Sequence, residues 1–274
     1  VFFVTFAAVI MLPTVILNSA YWGQCDSIYT TFIILTLLYL YREKYHRAFM
    51  FLGIAFAFKM QTIFIFPFII CFYIYKKQFS IFELLITVFT FWISGIGAFV
   101  QGRSLLDPFR IYANQTGTYQ YMHVNFPSFW MFVGNDYEWL KTAAIVMAAG
   151  ICGMGLYIIM KRKLDCSRPE NFVSIASWFI WTCVLFLPAM HERYAYPLEI
   201  LLVILTCINK DYLKYSSVAI LFSLFTYGNY LFSNGGLDKY IVIIYAGCYL
   251  HFTYTILKKN SKAATVTDKE MQNE

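Results

Sequence analysis

Nine apolar runs divide the chain, at residues 1–17, 28–41, 48–75, 81–100, 142–160, 172–188, 198–208, 215–232 and 240–257. They are apolar on every side rather than at alternate positions, so they predict helices and not barrel strands, which alternate over about ten residues per pass. Most approach the ~20 residues that a helix needs to cross a bilayer. Of the 274 residues, 60% are hydrophobic and 13% charged, and the mean hydropathy is +0.60. That is more apolar surface than a water-soluble domain buries. The pattern predicts an all-α, polytopic transmembrane helix bundle over residues 1–257 and a cytoplasmic polar tail over 258–274.

The first run starts at Val1, without a methionine, and reads as the remainder of a longer chain whose earlier helices lie upstream. It has neither a basic leader nor a small-residue cleavage site, so it does not read as a removable signal peptide. Run 48–75 is too long for the topology that its flanks demand. If 1–17 runs outward and 28–41 inward, Arg42, Lys44 and Arg47 are cytoplasmic, as the positive-inside rule prefers. A single crossing at 48–75 then puts Lys76 and Lys77 outside and inverts every later loop. A tight hairpin of two half-helices, broken near residues 59–62, returns them to the cytoplasm. With that hairpin Lys161–Lys163, Arg168, Lys210, Lys214 and the tail lysines fall inside too, and 15 of the 21 basic residues share one face. Half-helices of about 14 residues reach only ~21 Å, so the break lies within the membrane or just under its outer surface. Irregular backbone at that depth persists only where it lines protein or a watery cavity.

The net charge of +6 therefore reports topology rather than nucleic-acid binding, and no nucleic-acid module is visible. The seven cysteines show neither metal-ligand nor CxxC spacing and read as small apolar fillers. Besides the connection that carries Trp22–Asp26, three further stretches fall outside, at 101–139, 189–197 and 233–238. Within the first, residues 126–133 are aromatic and too short to span, which predicts an extracytoplasmic interfacial segment, either re-entrant or on the surface, or else a loop packed on the bundle. The rest of that connection reads as a long polar loop, in which Asp107, Arg110, His123, Asp136 and Glu138 are ordinary exposed charges. Asn114-Gln115-Thr116 matches a glycosylation acceptor, meaningful only in a secretory lumen.

Three polar clusters fall on this outer face: Trp22-Gly23-Gln24-Cys25-Asp26, Phe58-Lys59-Met60-Gln61 and His191-Glu192-Arg193-Tyr194. A lysine central in a spanning segment costs about 2.5–3.5 kcal/mol on insertion scales, so Lys59 needs a partner or a wet cavity unless it snorkels outward. Gln61 suits a sugar hydroxyl or the broken backbone. His191, Glu192 and Arg193 lie between Pro188 and Pro197; the arginine fork suits phosphate oxygens, and the imidazole donates a bond or carries a proton. The alternative for that trio is a charged helix end at the interface. Asp26, among Tyr21, Trp22 and Gln24, either acts as a general base or pairs with Lys59 or Arg193. Asn18 and Ser19 read as caps of the turn.

These segments resemble the polytopic GT-C glycosyltransferases, in particular bacterial relatives of the second mannosyltransferase of GPI-anchor assembly. Asn18–Asp26 looks like that group's WGQxD segment, Phe58-Lys59-Met60-Gln61 with Pro67 like its lysine and glutamine hairpin, and His191–Tyr194 with Pro197 like its late HER-type loop. The resemblance covers residues 18–257. It implies an inverting transfer of a hexose, often mannose, from a polyprenyl-phosphate sugar donor to a lipid or glycan acceptor at the extracytoplasmic face, with no metal or other cofactor. On that reading Lys59, His191 and Arg193 bind the donor phosphate; Trp22, Gln24, Gln61, Glu192 and Tyr194 line the substrate; and Asp26 is the catalytic candidate. The superfamily's acidic residue in the first outer loop would lie upstream of Val1, which leaves Asp26 more a site-lining residue than the base. The membrane implied is a bacterial plasma membrane, or the endoplasmic reticulum of a eukaryote. A transporter or flippase for a lipid-linked sugar is the alternative, but transporters repeat their broken helices in matched halves, and a second broken hairpin is not visible. A glycan polymerase or ligase would rest on an outer loop richer in arginine than 101–139, which holds Arg103 and Arg110. A purely structural membrane protein leaves Lys59 and the 191–193 trio without a purpose.

Overall fold

The structure, a computed structural model, describes residues 2–115, 118–232 and 239–271. The expected link at 233–238 and Thr116 of the glycosylation pattern lie outside them. The chain is mostly helical. It begins with α1 (Phe2–Ile10) and the short α2 (Pro13–Val15), which runs into a π-helical stretch at Ile16–Tyr21. Leu12, held extended ahead of Pro13, bends this first apolar run by 50°. Next come α3 (Asp26–Tyr41), α4 (Tyr45–Phe58), a 3₁₀ stretch at Met60–Ile65, α5 (Phe66–Lys76), α6 (Glu83–Ile93), α7 (Ile96–Val100) and α8 (Asp107–Gln115). Strand β1 (His123–Val124) and a 3₁₀ turn at Phe129–Phe132 precede α9 (Tyr137–Arg162) and α10 (Pro169–Phe186). Strand β2 (Met190–His191), α11 (Tyr196–Ile208), a 3₁₀ turn at Lys210–Tyr212, α12 (Leu213–Phe232) and α13 (Lys239–Met271) complete it.

Two helices, Tyr137–Arg162 and residues Lys239–Lys259 of α13, are long and apolar enough to cross a membrane, and the bent pair at the start is a third if it counts as one span. Contacts gather at two ends of the chain's packed helices. At one end Tyr41 OH donates to Ser167 O at 2.7 Å, Lys76 Nζ to Ser167 Oγ at 3.2 Å and Lys259 Nζ to Glu170 Oε1 at 2.9 Å. Asp26, Lys59 and Arg193 meet at the other. α10 and α11 run through the middle, with Ala176, Ile180, Trp181 and Val184 of one and Leu198, Leu202 and Leu205 of the other fully buried.

The hairpin expected at 48–75 is present. α4 stops at Phe58 because Lys59 turns extended (φ −158°, ψ 132°), and Pro67 opens α5, where its missing N–H costs nothing. The chain then returns to its level of entry: Tyr45 OH donates to Gln78 Oε1 at 3.3 Å, and the Tyr45 and Phe79 rings lie 4.9 Å apart. Elsewhere the structure departs from the expectation. Run 81–100 is two helices, α6 and α7, separated at Ser94-Gly95. The connection 101–139 is no plain loop, since it carries α8, which Tyr112 OH fastens to Phe56 O, the last turn of α4. Residues 126–133 take the second of their two expected forms, a segment packed on the bundle rather than an interfacial helix. Phe126, Ser128 and Trp130 are buried, and Trp130 Nε1 donates to Phe186 O at 2.7 Å; Phe132 and Val133 alone of the run are well exposed. An aromatic ring with a donor at its rim gains more here by filling a cleft and satisfying a helix-end carbonyl than by facing outward.

α4 and α6 approach closely at Gly53, where an added Cβ would sit 2.6 Å from Thr87 O and 2.7 Å from Thr90 Cβ. Thr87 Oγ1 donates to Phe49 O at 2.9 Å in the same contact. Small residues allow such approach between apolar helices. Gly53→Ala should therefore destabilise: overpacking costs about 1–3 kcal/mol, more than the ~1 kcal/mol that alanine gains over glycine inside a helix. Gly247→Ala, with open space around it, should stabilise slightly. Unfolding midpoints of the two variants in detergent check the contrast.

Candidate functional site

The π-helical turn at Ile16–Tyr21, followed by Gly23 at φ +68°, delivers Asp26 to the first turn of α3. The break after Phe58 swings Lys59 off its helix. α10 ends at Phe186, and Leu187, extended ahead of Pro188, starts the turn that carries His191, Glu192 and Arg193 to Pro197 at the start of α11. The parallel pairing of β1 with β2, His123 opposite Met190 and Val124 opposite His191, ties that turn to the outer connection.

Asp26 is the hub. It is fully buried; its Oδ1 accepts from Lys59 Nζ, its Oδ2 accepts from Asn18 Nδ2 at 2.9 Å, and Arg193 Nε stands 3.9 Å from Oδ2. A buried carboxylate needs such partners, because stripping two charges of water is repaid only by good geometry and further hydrogen bonds. Lys59 Nζ also lies over the rings of Tyr29 (5.4 Å) and Tyr194 (5.9 Å), and the Arg193 guanidinium over Trp22 (5.3 Å). Arg193 Nη1 is 3.8 Å from Glu192 Oε1. Among the described residues, the buried atoms His191 Nε2, Glu192 Oε2 and Arg193 Nε find no hydrogen-bond partner. Buried polar groups are ordinarily satisfied, and sites that bind polar ligands are a common exception.

A cavity of about 600 Å³ opens beside this cluster. Lys59, Gln61, Arg193 and Tyr194 line it, facing Gln115, Tyr119 and Tyr137 from the outer connection and α9. The sequence-derived residues thus divide. Lys59, Gln61, Arg193 and Tyr194 stand on the wall. Trp22, Gln24, Asp26, His191 and Glu192 do not: Trp22 is turned onto Tyr230 (4.8 Å, stacked) and Tyr227 (5.7 Å, edge-on), Gln24 is half-buried in the turn, and Glu192 is sealed beneath Arg193. Asp107, Arg110, Asp136 and Glu138 remain away from the cluster; Asp107 pairs with Arg110 and Asp136 caps α9.

Burial lowers the His191 imidazole to about 4, with Arg193 and Lys59 adding to the effect. Its Tyr119 neighbour packs edge-on at 4.3 Å. His191 is therefore neutral near pH 7 and contributes hydrogen bonds rather than charge. Burial also raises the Glu192 carboxyl, which favours its neutral form, and pushes the Tyr194 phenol up to about 12, so that it remains a donor. For His191 the unfolded chain binds the proton more tightly than the folded one. Its contribution therefore makes stability rise with pH between about 4 and 6.5 and level off above. Glu192, raised on folding, acts with the opposite sign. Comparing wild type with His191→Gln isolates the histidine: the variant should lose less thermal stability than wild type between pH 7.5 and 4.5, and an equal loss would contradict a buried neutral imidazole.

Several contributors were not singled out from the sequence. Asn18, read as a cap, instead holds Asp26, and its Nδ2 is 3.5 Å from Tyr227 OH. Tyr119 reaches the wall from the outer connection. Glu199, fully buried in α11, accepts from Ser223 Oγ; a carboxylate inside run 198–208 was the signal for it. Among the described residues no group of three His, Cys, Asp or Glu side chains is placed to hold a metal ion. Compared with family models, curated proteins and solved structures, the chain finds no match.

Proposed function

We propose that the chain is a multi-pass integral membrane glycosyltransferase with a GT-C-like bundle, moving a hexose such as mannose from a polyprenyl-phosphate sugar to a lipid or glycan acceptor at the extracytoplasmic face. The two long apolar helices, the basic residues gathered at the end opposite Asp26 and the exposed apolar perimeter, with Phe3, Val100 and Trp139 each more than four-fifths exposed, support the membrane setting. One observation carries the chemistry: a hairpin break and a loop about 130 residues later set Lys59 and Arg193 on one wall of a largely apolar cavity that also presents aromatic rings and the amides of Gln61 and Gln115.

In the proposed step the acceptor oxygen bonds to the sugar's anomeric carbon as the bond from that carbon to the phosphate oxygen breaks, and the electron pair leaves with the phosphate. Lys59 and Arg193, both with largely buried side chains, stabilise the negative charge gathering there. Gln61, Gln115 and the Tyr194 phenol suit sugar hydroxyls, and Tyr119 and Tyr137 offer ring faces. Asp26, with both oxygens engaged and no exposure, is poorly placed to accept the acceptor's proton, which passes to the departing phosphate; Asp26 holds Lys59 in position instead.

The test is transfer of radiolabelled mannose from polyprenyl-phosphate mannose into lipid or glycan by membrane vesicles containing the full chain, with Gln61→Ala and Tyr194→Phe beside it. Transfer that falls about tenfold or more in either variant, at equal expression, supports the reading. Movement of the donor lipid across the bilayer without transfer would replace it with a transporter.

A further inference from the structure

The end of the bundle opposite Asp26 contains a second cavity, of about 610 Å³, between the start of α12 and the later turns of α13. Four lysines line it, Lys210, Lys214, Lys258 and Lys259, with His251 and Asp211. Lys259 is neutralised: it bonds Glu170 Oε1 at 2.9 Å and Asp211 Oδ2 at 3.1 Å and lies 4.4 Å from the centre of the Tyr212 ring. That lock joins α10, α13 and the Lys210–Tyr212 turn and fixes the wall. The other three lysines are exposed, and among the described residues none has a carboxylate within ion-pair distance. Lys214 lies over Tyr215 (5.1 Å) and Lys258 over Tyr254 (5.6 Å). The floor is polar, since Tyr215 OH meets His251 Nδ1 at 2.8 Å and Thr255 Oγ1 at 2.6 Å. Leu213 and Tyr254, both more than half exposed, form an apolar rim.

A topological bias explains lysines at this end but not their convergence on one open pocket. We propose that this cavity binds a phosphate-bearing anion, with the phosphate between the three unpaired lysines. The apolar rim favours the headgroup of an anionic phospholipid in the adjoining leaflet, because basic pockets between helices at the membrane surface recognise such groups. The site is independent of the sugar-transfer reading and rests only on the membrane setting.

The probe is phosphatidylglycerol in phosphatidylcholine nanodiscs, read by native mass spectrometry of the full chain after mild release from the disc. Two variants accompany wild type. Lys210→Gln/Lys214→Gln/Lys258→Gln removes the cations, and Leu213→Trp fills the cavity while keeping every charge, so topology is undisturbed. Wild type should retain one phosphatidylglycerol, and both variants should retain it at least tenfold less. In an all-phosphatidylcholine arm, inorganic phosphate at millimolar concentration should leave the wild-type unfolding midpoint unchanged. A rise in that midpoint, lost in both variants, would support the anion site with a soluble phosphate as its source. Equal retention in all three proteins, or loss in the lysine variant alone, would overturn the proposal, because the second pattern reports a diffuse charged surface and not a cavity.

Discussion

Replacing Lys59 by methionine should cost about 3–5 kcal/mol of stability, the usual result of removing one member of a buried ion pair. Asp26 would remain fully buried with Asn18 Nδ2 at 2.9 Å and Arg193 Nε at 3.9 Å as its remaining polar neighbours. Arg193 is too distant to replace the lost hydrogen bond, although its charge softens the penalty. The double variant Asp26→Asn/Lys59→Met should recover much of the loss, because a neutral amide next to an apolar side chain leaves no uncompensated charge. Sugar transfer should not recover with it. Denaturant unfolding and vesicle transfer assays on the three proteins separate the two roles of Lys59. If Lys59→Met unfolds like wild type, the pair is hydrated and Asp26 is no hub. If the double variant transfers sugar at the wild-type rate, Lys59 is structural alone.

The parts of this site that were legible beforehand share one physical cause: each is a polar group set against apolar runs, where burial makes polarity expensive. Lys59 and Gln61 interrupt a run of 28 residues, and a lysine there demands both a break and a partner. The same cost makes the Asp26 and Arg193 pairing readable, since three charges at one level have few other ways to be satisfied. Prolines marked the boundaries at 67, 188 and 197 for a local reason, the missing N–H and the extended residue that precedes each ring. What was not legible depends on contacts between distant segments. Two-residue strands have no periodicity to read, so the pairing of His123 with Met190, which sets Tyr119 beside His191, left no trace in the pattern. The burial of Trp130 is decided by the Phe186 carbonyl across the bundle, and the aromatic run at 126–133 fits an interfacial helix equally well until that partner is known. α8 was hidden because nine residues are too few to hold a helix alone, even with an Asp-Pro start, and its place depends on Tyr112 reaching Phe56 O. Asn18 looked like a turn residue by composition; its burial against Asp26 follows from the π-helical turn at Ile16–Tyr21, which has no sequence signature.

Arg193→Ala should lower transfer about 10²–10³-fold, the range seen when a single preorganised donor to a developing negative charge is removed. Its effect on stability should be small beside that of Lys59→Met. Arg193 retains about a fifth of its side-chain exposure and sits 3.9 Å from Asp26, whereas the Lys59 ammonium bonds that carboxylate directly. Loss of the guanidinium also releases Trp22 from its cation contact, but Tyr230 and Tyr227 still hold the indole. Arg193→Lys distinguishes charge from geometry. An ammonium keeps the charge but is a point donor without the planar fork that meets two phosphate oxygens at once. Partial recovery, with about a tenth of the lost rate regained, would mean that field and fork both contribute. Full recovery would assign the effect to charge alone. The decisive comparison is single-turnover transfer at saturating donor. If Arg193→Ala then matches wild type, the arginine serves donor affinity alone, and stabilisation of the departing phosphate falls to Lys59.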